Sequence, residues 1–269
     1  MVDGESGPGG DDNRHNLYSD LHGRQLTGEE EDNHYSAARI LTILFGYYRP
    51  QSVLDVGCGI GSWLRAASEL GVCDVAGIEG HWLDRGLLQV SPEFVQACDL
   101  ERGFDLNRRF DLTISLEVAE HLSHDSAPGF VASLVRHAPA VLFSVAIPLQ
   151  GGHHHVNEQF LTYWVELFAH HDYRPLDFIR GEIWDNPNIL WWLRQNIMFF
   201  AHDSVIAGND KLLAVAASHG PLSVVHPSVY LMNELKRIEY DRLTELLRRG
   251  GLFQVTLDGR GGFQLNKVD

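Results

Sequence analysis

The chain is poor in cysteine. Its three, Cys58, Cys73 and Cys98, are odd in number and form no CxxC pair. A disulfide framework or zinc ribbon is therefore excluded, and a reducing, cytoplasmic compartment is expected. No stretch approaches the roughly 20 consecutive apolar residues of a membrane helix. The opening MVDGESGPGGDDNRHN lacks the basic start and apolar run of a secretory signal. Basic residues are scarce as well: 21 Lys and Arg against 36 Asp and Glu give a net charge of −15. That balance argues against nucleic acid or an anionic membrane as partner, since both are polyanions. No internal repeat is readable. What the 269 residues do hold is 44% hydrophobic and 10% aromatic side chains, enough for one sizeable core with room for an appended element.

Residues 1–16 have almost nothing to bury and read as a disordered tail, and LYSDLHGRQL (17–26) as a candidate lid. Thr27 is a plausible N-cap, with Glu29, Glu30 and Glu31 in the first turn of a helix that stops before Pro50. From SVLDVG onward, short apolar runs alternate with helical segments. The pattern predicts strands at 52–56, 74–79, 93–97, 110–116, 140–147, 175–180 and 195–201. Helices are expected at about 61–70, 82–89, 118–136 and 157–171, with a plain loop before the last strand. Runs such as VLFSVAI are apolar on both faces, as in a sheet covered by helices on both sides. The expectation is an α/β fold: a doubly wound, mostly parallel, seven-stranded Rossmann-like sheet over 27–202. A C-terminal extension over 203–269 carries a helix with Leu231, Leu235, Ile238, Leu243 and Leu246 near helical spacing and a Gly-bounded hairpin. The helix reads as packed back on the domain or as the seam of a homodimer.

VLDVGCGIGSWL carries the strongest chemical signal. A strand ends at Asp55, and Gly57, Gly59 and Gly61 lead straight into a helix near Ser62, the context in which a ligand approaches backbone amides at a helix N-terminus. Glu79 ends the next strand about twenty residues on, where an acid can accept from both ribose hydroxyls. Asp99 follows the third strand and can take an adenine amino group, with Leu100 packing on the ring. The third glycine of a GxGxxG dinucleotide pattern is missing, since Ser62 and Leu64 stand there. Asp55 would repel a pyrophosphate but could orient an ammonium. A cationic, phosphate-free adenosyl cofactor, S-adenosylmethionine, fits this set better than NAD.

LDVGCGIGSWL, GIEG, CDLE and FDLTISLEVAEHL together resemble the class I S-adenosylmethionine-dependent methyltransferases, including the ubiquinone-biosynthesis O-methyltransferase branch, over about residues 35–202. The resemblance implies that Asp55, Gly57, Gly59 and Gly61 hold the methionine part and Glu79 the ribose. Asp99 and Leu100 would bracket adenine, with Glu117 by the methionine end. Trp63 is bulkier than the residues usual after this loop. GGHHHVNEQFLTYW and RGEIWDNPNILWWLRQNIMFF further resemble a bacterial branch with a GGxGHVNEQ loop. One histidine, matching His155, is expected there; His153 and His154 stand where small residues are usual.

The crevice of a doubly wound fold lies at the carboxyl ends of its strands. The loop after the fifth strand, Pro148–Glu158, therefore borders a small-molecule acceptor, and His153, His154 and Glu158 are candidate substrate contacts. Methyl transfer to oxygen or nitrogen needs an aligned nucleophile and a base of near-neutral pKa. His155 is the first candidate and His121 the second, against a loop-bracing hydrogen bond for His155 and a backbone-bonded helix residue for His121. An extended run would put His153 and His155 on one side, and two imidazoles with Glu158 or Glu120 are a donor set for a divalent ion. No Cys-based or HExxH spacing accompanies them, and no metal is expected. Trp191 and Trp192, in the loop with Trp184, are candidates to stack on a ring or sugar face, and Arg194 to bind a carboxylate or pair with Glu158 or Asp185. The expected activity is methylation at O or N of a small molecule, sugar or natural-product intermediate. Two rivals are non-methyl use of the same cofactor and a non-catalytic partner subunit.

Overall fold

The computed structural model describes residues 29–217, 220–248, 252–257 and 263–268. The expected tail, lid and Thr27 cap lie outside them. The chain divides into two compact units, one through Val224 and one from Val225.

The first unit is a seven-stranded sheet in the order β3-β2-β1-β4-β5-β7-β6. Its strands are β1 Ser52–Val56, β2 Asp74–Glu79, β3 Val95–Ala97, β4 Leu112–Leu116, β5 Ala140–Ser144, β6 Tyr173–Leu176 and β7 Met198–His202. All pairings are parallel except those of β7, which runs antiparallel to both β5 and β6. The helices are α1 Glu29–Tyr47, α2 Ser62–Glu69, α3 Ala127–His137, α4 Leu161–Ala169, α5 Arg180–Ile183, α6 Trp191–Asn196, α7 Asp203–Ala207 and α8 Asp210–Ala216.

The period-2 pleat divides each strand between two cores. Val53, Leu112, Ile114, Leu142 and Phe199 face one side, where they meet Ile40 and Leu44 of α1 and Leu64 of α2. Leu54, Val141, Phe143 and Phe200 face the other, against Phe130 and Leu134 of α3 and Trp164 and Phe168 of α4. With both faces covered, the strands read as continuous apolar runs. Trp63 is buried in the first core, and its Nε1 donates to Asn33 Oδ1 of α1 at 3.2 Å. It joins α2 to α1 rather than reaching a ligand.

Several segments differ from the sequence expectation. Residues 82–89 are not an α-helix: the segment has only a 3-10 turn at Arg85–Leu87, where the Asp84 side chain accepts from Gly86 N at 2.9 Å. A single such turn, with Gly80 and Gly86 nearby, is too short to sustain a helix. The helix expected from 118 begins at Ala127, after two 3-10 turns, because Pro128 occupies its first turn. The helix expected at 157–171 spans 161–169, and the β6–β7 connection carries α5 and α6 instead of a plain loop. Ile206 of α7 and Leu212 of α8 are buried in the first core, so the chain just past β7 packs with the sheet.

The second unit comprises α9, Pro227–Arg248, and the hairpin β8 Leu252–Leu257 with β9 Phe263–Val268, paired from Leu252↔Val268 to Leu257↔Phe263. Leu231, Leu235 and Ile238 of α9 are exposed. Among the described residues no helix is long and apolar enough to cross a membrane.

Candidate active site

Strand order reverses between β1 and β4, and a cleft of about 680 Å³ opens there at the strands' carboxyl ends. Gly57, Gly59, Glu79, Asp99, Leu100 and Glu117 all line it, as do His121 and His154. Eight of the residues singled out by sequence thus share one wall system. Trp82 and Leu83, from the segment expected to be helical, line it too.

The glycine loop has unusual internal bonding. Gly57 N and Cys58 N both donate to the Ile78 carbonyl, at 2.8 and 3.2 Å. Gly59 N donates to Glu79 Oε2 at 2.7 Å, and Gly61 N to the Cys58 carbonyl at 2.9 Å. These amides are spent inside the protein, so the loop does not present the row of free donors that cradles a pyrophosphate. A Cβ on Gly59 would meet nothing within 4 Å, so the loop leaves open space on its cleft side.

Glu79 also accepts from Gly80 N at 2.7 Å, which fixes its carboxylate between two backbone amides. Each oxygen keeps a lone pair for a hydroxyl donor. Asp99 accepts from Glu101 N at 3.1 Å and pairs with Arg102 at 3.3 Å. Leu100 beside it is buried and apolar.

Asp55 is placed behind the loop rather than on the cleft wall. It is 3% exposed, and its Oδ2 accepts no hydrogen bond. Burial, then repulsion from Glu79, pushes its pKa from 3.8 to about 8. A raised carboxyl pKa favours the folded state most when the acid is protonated. That stability is complete below the unfolded value and is lost as pH rises through about 8. Asp55→Asn should therefore melt higher than the native protein at pH 8.5, with the gap shrinking toward about pH 5. Differential scanning fluorimetry across that range checks it; a pH-independent gap would assign the effect to packing.

Glu117 follows β4 with φ of 54°, a left-handed backbone that non-glycine residues adopt under constraint. The constraint is visible: its amide donates to the Ser144 carbonyl at 3.1 Å and to Ser144 Oγ at 3.2 Å. Its carboxylate accepts from Gln150 Nε2 at 3.3 Å and from Asn196 Nδ2 at 3.2 Å. Gln195 Nε2 reaches Gln150 Oε1 at 3.1 Å, closing a buried amide network. Sequence reading missed Gln150, Gln195 and Asn196; the RQN segment that supported the narrower resemblance was the available signal. Burial raises the Glu117 pKa against these bonds.

The three histidines separate. His154 has φ of 56°, so the run is not extended, and the expected alternation of His153 and His155 against His154 fails. The His153 and His154 rings instead meet edge to face at 4.4 Å. Glu158 accepts from Leu149 N at 2.9 Å, Gly151 N at 3.0 Å and His155 Nδ1 at 2.9 Å. His155 and Glu158 thus brace the loop. Val156 N and Asn157 N donate to the Glu120 carbonyl at 2.8 and 3.0 Å, pinning the loop to the turn after β4. His121 is on the cleft wall, its ring 4.9 Å from that of His155. Burial first, then the neighbouring histidines, lowers its pKa to about 4, so it is neutral at physiological pH.

Trp191, Trp192 and Arg194 are on α6, not on the cleft wall. Trp191 and Trp192 contact each other edge to face at 5.5 Å, and Trp192 packs against the first core. Arg194 Nη1 donates to the Trp184 carbonyl at 3.0 Å, and its pairing with Glu158 is not formed. Trp191 and Arg194 are half-buried on the same short helix.

A family model for a methyltransferase domain matches residues 29–187. The chain belongs to this methyltransferase family. No curated protein sequence matches it. Among solved structures, the magnesium protoporphyrin IX methyltransferase of Synechocystis PCC 6803, with bound SAH, superposes with TM-score 0.52 at 14% identity, over 71% of this chain and 95% of that one. The sugar N-methyltransferase KedS8 of Streptoalloteichus sp ATCC 53650 gives 0.49 at 17% identity, over 75% and 98%. DesVI of Streptomyces venezuelae gives 0.40 at 21% identity, over 50% of this chain and 60% of that one, so the chain spans about three fifths of it. The first of these supports the fold. The residues of the cleft fit S-adenosylmethionine: an acid for the ribose, an apolar floor at Leu100, open space at Gly59 and no spare loop amides for phosphate.

Proposed function

We propose that the protein transfers the methyl group of S-adenosylmethionine to an oxygen or nitrogen of a small molecule, sugar or natural-product intermediate. The observation that carries this reading is the cleft itself. The adenosyl-side residues Glu79, Asp99 and Leu100 line one cavity with His121, so a bound cofactor and an acceptor share a single enclosure of suitable size. The cofactor supplies an electrophilic methyl on a sulfonium. The chain supplies placement and a hydrogen-bond acceptor. Glu79 holds the ribose, and Leu100 packs on the base. His121, neutral and on the wall, accepts a hydrogen bond from the acceptor and orients its lone pair. Glu117, held by Gln150 and Asn196, places its carboxyl group toward the cationic end of the cofactor. The acidic net charge favours a free small-molecule acceptor over nucleic acid or membrane, and the exposed apolar positions of α9 favour a second copy as the protein partner. The HVNEQ and RQN segments support the narrower bacterial branch.

Calorimetry with S-adenosylhomocysteine, followed by mass spectrometry of an acceptor library, tests the reading. One bound equivalent and a product heavier by a methyl group are expected. Methylthioadenosine, or turnover without S-adenosylhomocysteine, would replace methyl transfer by another use of the cofactor; no affinity would leave a non-catalytic subunit. On the same assay, Glu79→Ala should weaken S-adenosylhomocysteine by roughly thirtyfold, about 2 kcal/mol, for two lost charge-assisted hydrogen bonds. An unchanged constant would remove Glu79 from the ribose.

A further inference from the structure

We propose that Glu120, His121 and His155 form a binding site for a divalent first-row metal ion at the acceptor end of the cleft. One donor atom from each of the three lies within 4.8 Å of the others. Donors on one ion at about 2.1 Å are roughly 3 to 4 Å apart, so small side-chain movements bring this set into coordination.

Three features of the site point to a cation. Glu120 is 0% exposed; its Oε1 accepts from Ala146 N at 3.2 Å, whereas Oε2 has no donor. A buried carboxylate oxygen left unmatched costs stability unless something positive meets it. Among the described residues no arginine or lysine forms an ion pair with Glu120, so no side-chain cation meets that oxygen. Finally, each imidazole is held through an outer partner: His155 Nδ1 by Glu158 at 2.9 Å and the His121 ring by the His154 backbone. Metal-ligating histidines are oriented by partners of this kind, a carboxylate or a backbone group.

Two imidazoles and one carboxylate suit Mn²⁺, Fe²⁺, Co²⁺ or Zn²⁺ better than Ca²⁺, and three protein donors leave positions open. Because His121 lines the cleft, those positions are available to an acceptor oxygen, which then meets the ion rather than the His121 nitrogen. A hydroxyl bound to such an ion loses its proton at a lower pH than in water. The site deepens the methyltransferase reading and rests on it for the identity of the acceptor end. It also departs from the expectation of no metal, which followed from the absence of an HExxH spacing. Here the ligands come from a 3-10 turn and a loop about thirty residues apart, pinned together by the Glu120 carbonyl.

The test uses the full chain, stripped with EDTA, dialysed and titrated with Mn²⁺ alone while the free-ion paramagnetic resonance signal is followed. One saturable equivalent per chain is expected. His155→Ala and Glu120→Gln should each weaken it by more than about tenfold, and His170→Ala, on the exposed end of α4, should not. Circular dichroism confirms which variants are folded, and His155→Ala serves if Glu120→Gln is not. Absence of a saturable equivalent, or retention of it in a folded His155→Ala variant, overturns the proposal. S-adenosylhomocysteine calorimetry is run on the same stripped protein. Cofactor binding without Mn²⁺ binding removes only the ion; Mn²⁺ binding without cofactor binding removes only the methyltransferase cleft.

Discussion

Gly57→Ala should bind S-adenosylhomocysteine at least about a hundredfold more weakly than the native protein, a loss of about 2.7 kcal/mol. Two costs combine. Gly57 has φ of +76°, and a Cβ built there lies 2.3 Å from Val118 Cγ2. The left-handed backbone alone costs an L-residue about 1–2 kcal/mol. The overlap can be relieved only by moving the loop or pushing Val118, and Val118 is itself a cleft-lining residue. Either movement reshapes the space between the glycine loop and the turn after β4. The double variant Gly57→Ala, Val118→Ala removes the overlap but not the backbone cost, so it should recover part of the affinity. Titration calorimetry on the two variants checks both statements. Near-native affinity in the single variant would mean that the loop does not border the cofactor.

His121→Ala should lower kcat by about a hundredfold or more while the S-adenosylhomocysteine constant moves by less than about threefold. His121 is on the wall shared with Glu117 and Val118. A group that acts on the acceptor should affect turnover and spare the adenosyl end. Its ring also sits at 4.9 Å from His155, which Glu158 holds in place, so His155→Ala should reproduce a smaller version of the same split. Equal losses in turnover and cofactor affinity would make both histidines braces of the loop. Steady-state kinetics beside calorimetry separates the outcomes.

The adenosyl half of the site was legible because it is written locally. A strand, a glycine turn and a helix follow one another within a dozen residues, and parallel pairing of β1 with β2 and of β2 with β3 brings Glu79 and the Asp99 turn to the same edge. The doubly wound sheet was legible for a related reason: both faces of each strand are covered, so each strand is one apolar run. The acceptor half depends on contacts between distant segments. The amide clamp on Glu117 joins residues 117, 150 and 196, and no short-range period marks it. The left-handed turn at His154, which breaks the histidine run, depends on the loop's closure around Glu158. Trp191 and Trp192 looked like exposed aromatics of a long loop, but they start a six-residue helix that packs Trp192 against the first core. Trp82 was hidden inside an apparent helix that the chain does not form.

The most direct measurement is a crystal structure with S-adenosylhomocysteine. The account predicts adenine against Leu100 beside Asp99, both ribose hydroxyls on the Glu79 carboxylate, and the sulfur directed toward His121. A cleft that stays empty at saturating ligand, or one that takes NAD with its pyrophosphate on the glycine loop, would contradict it.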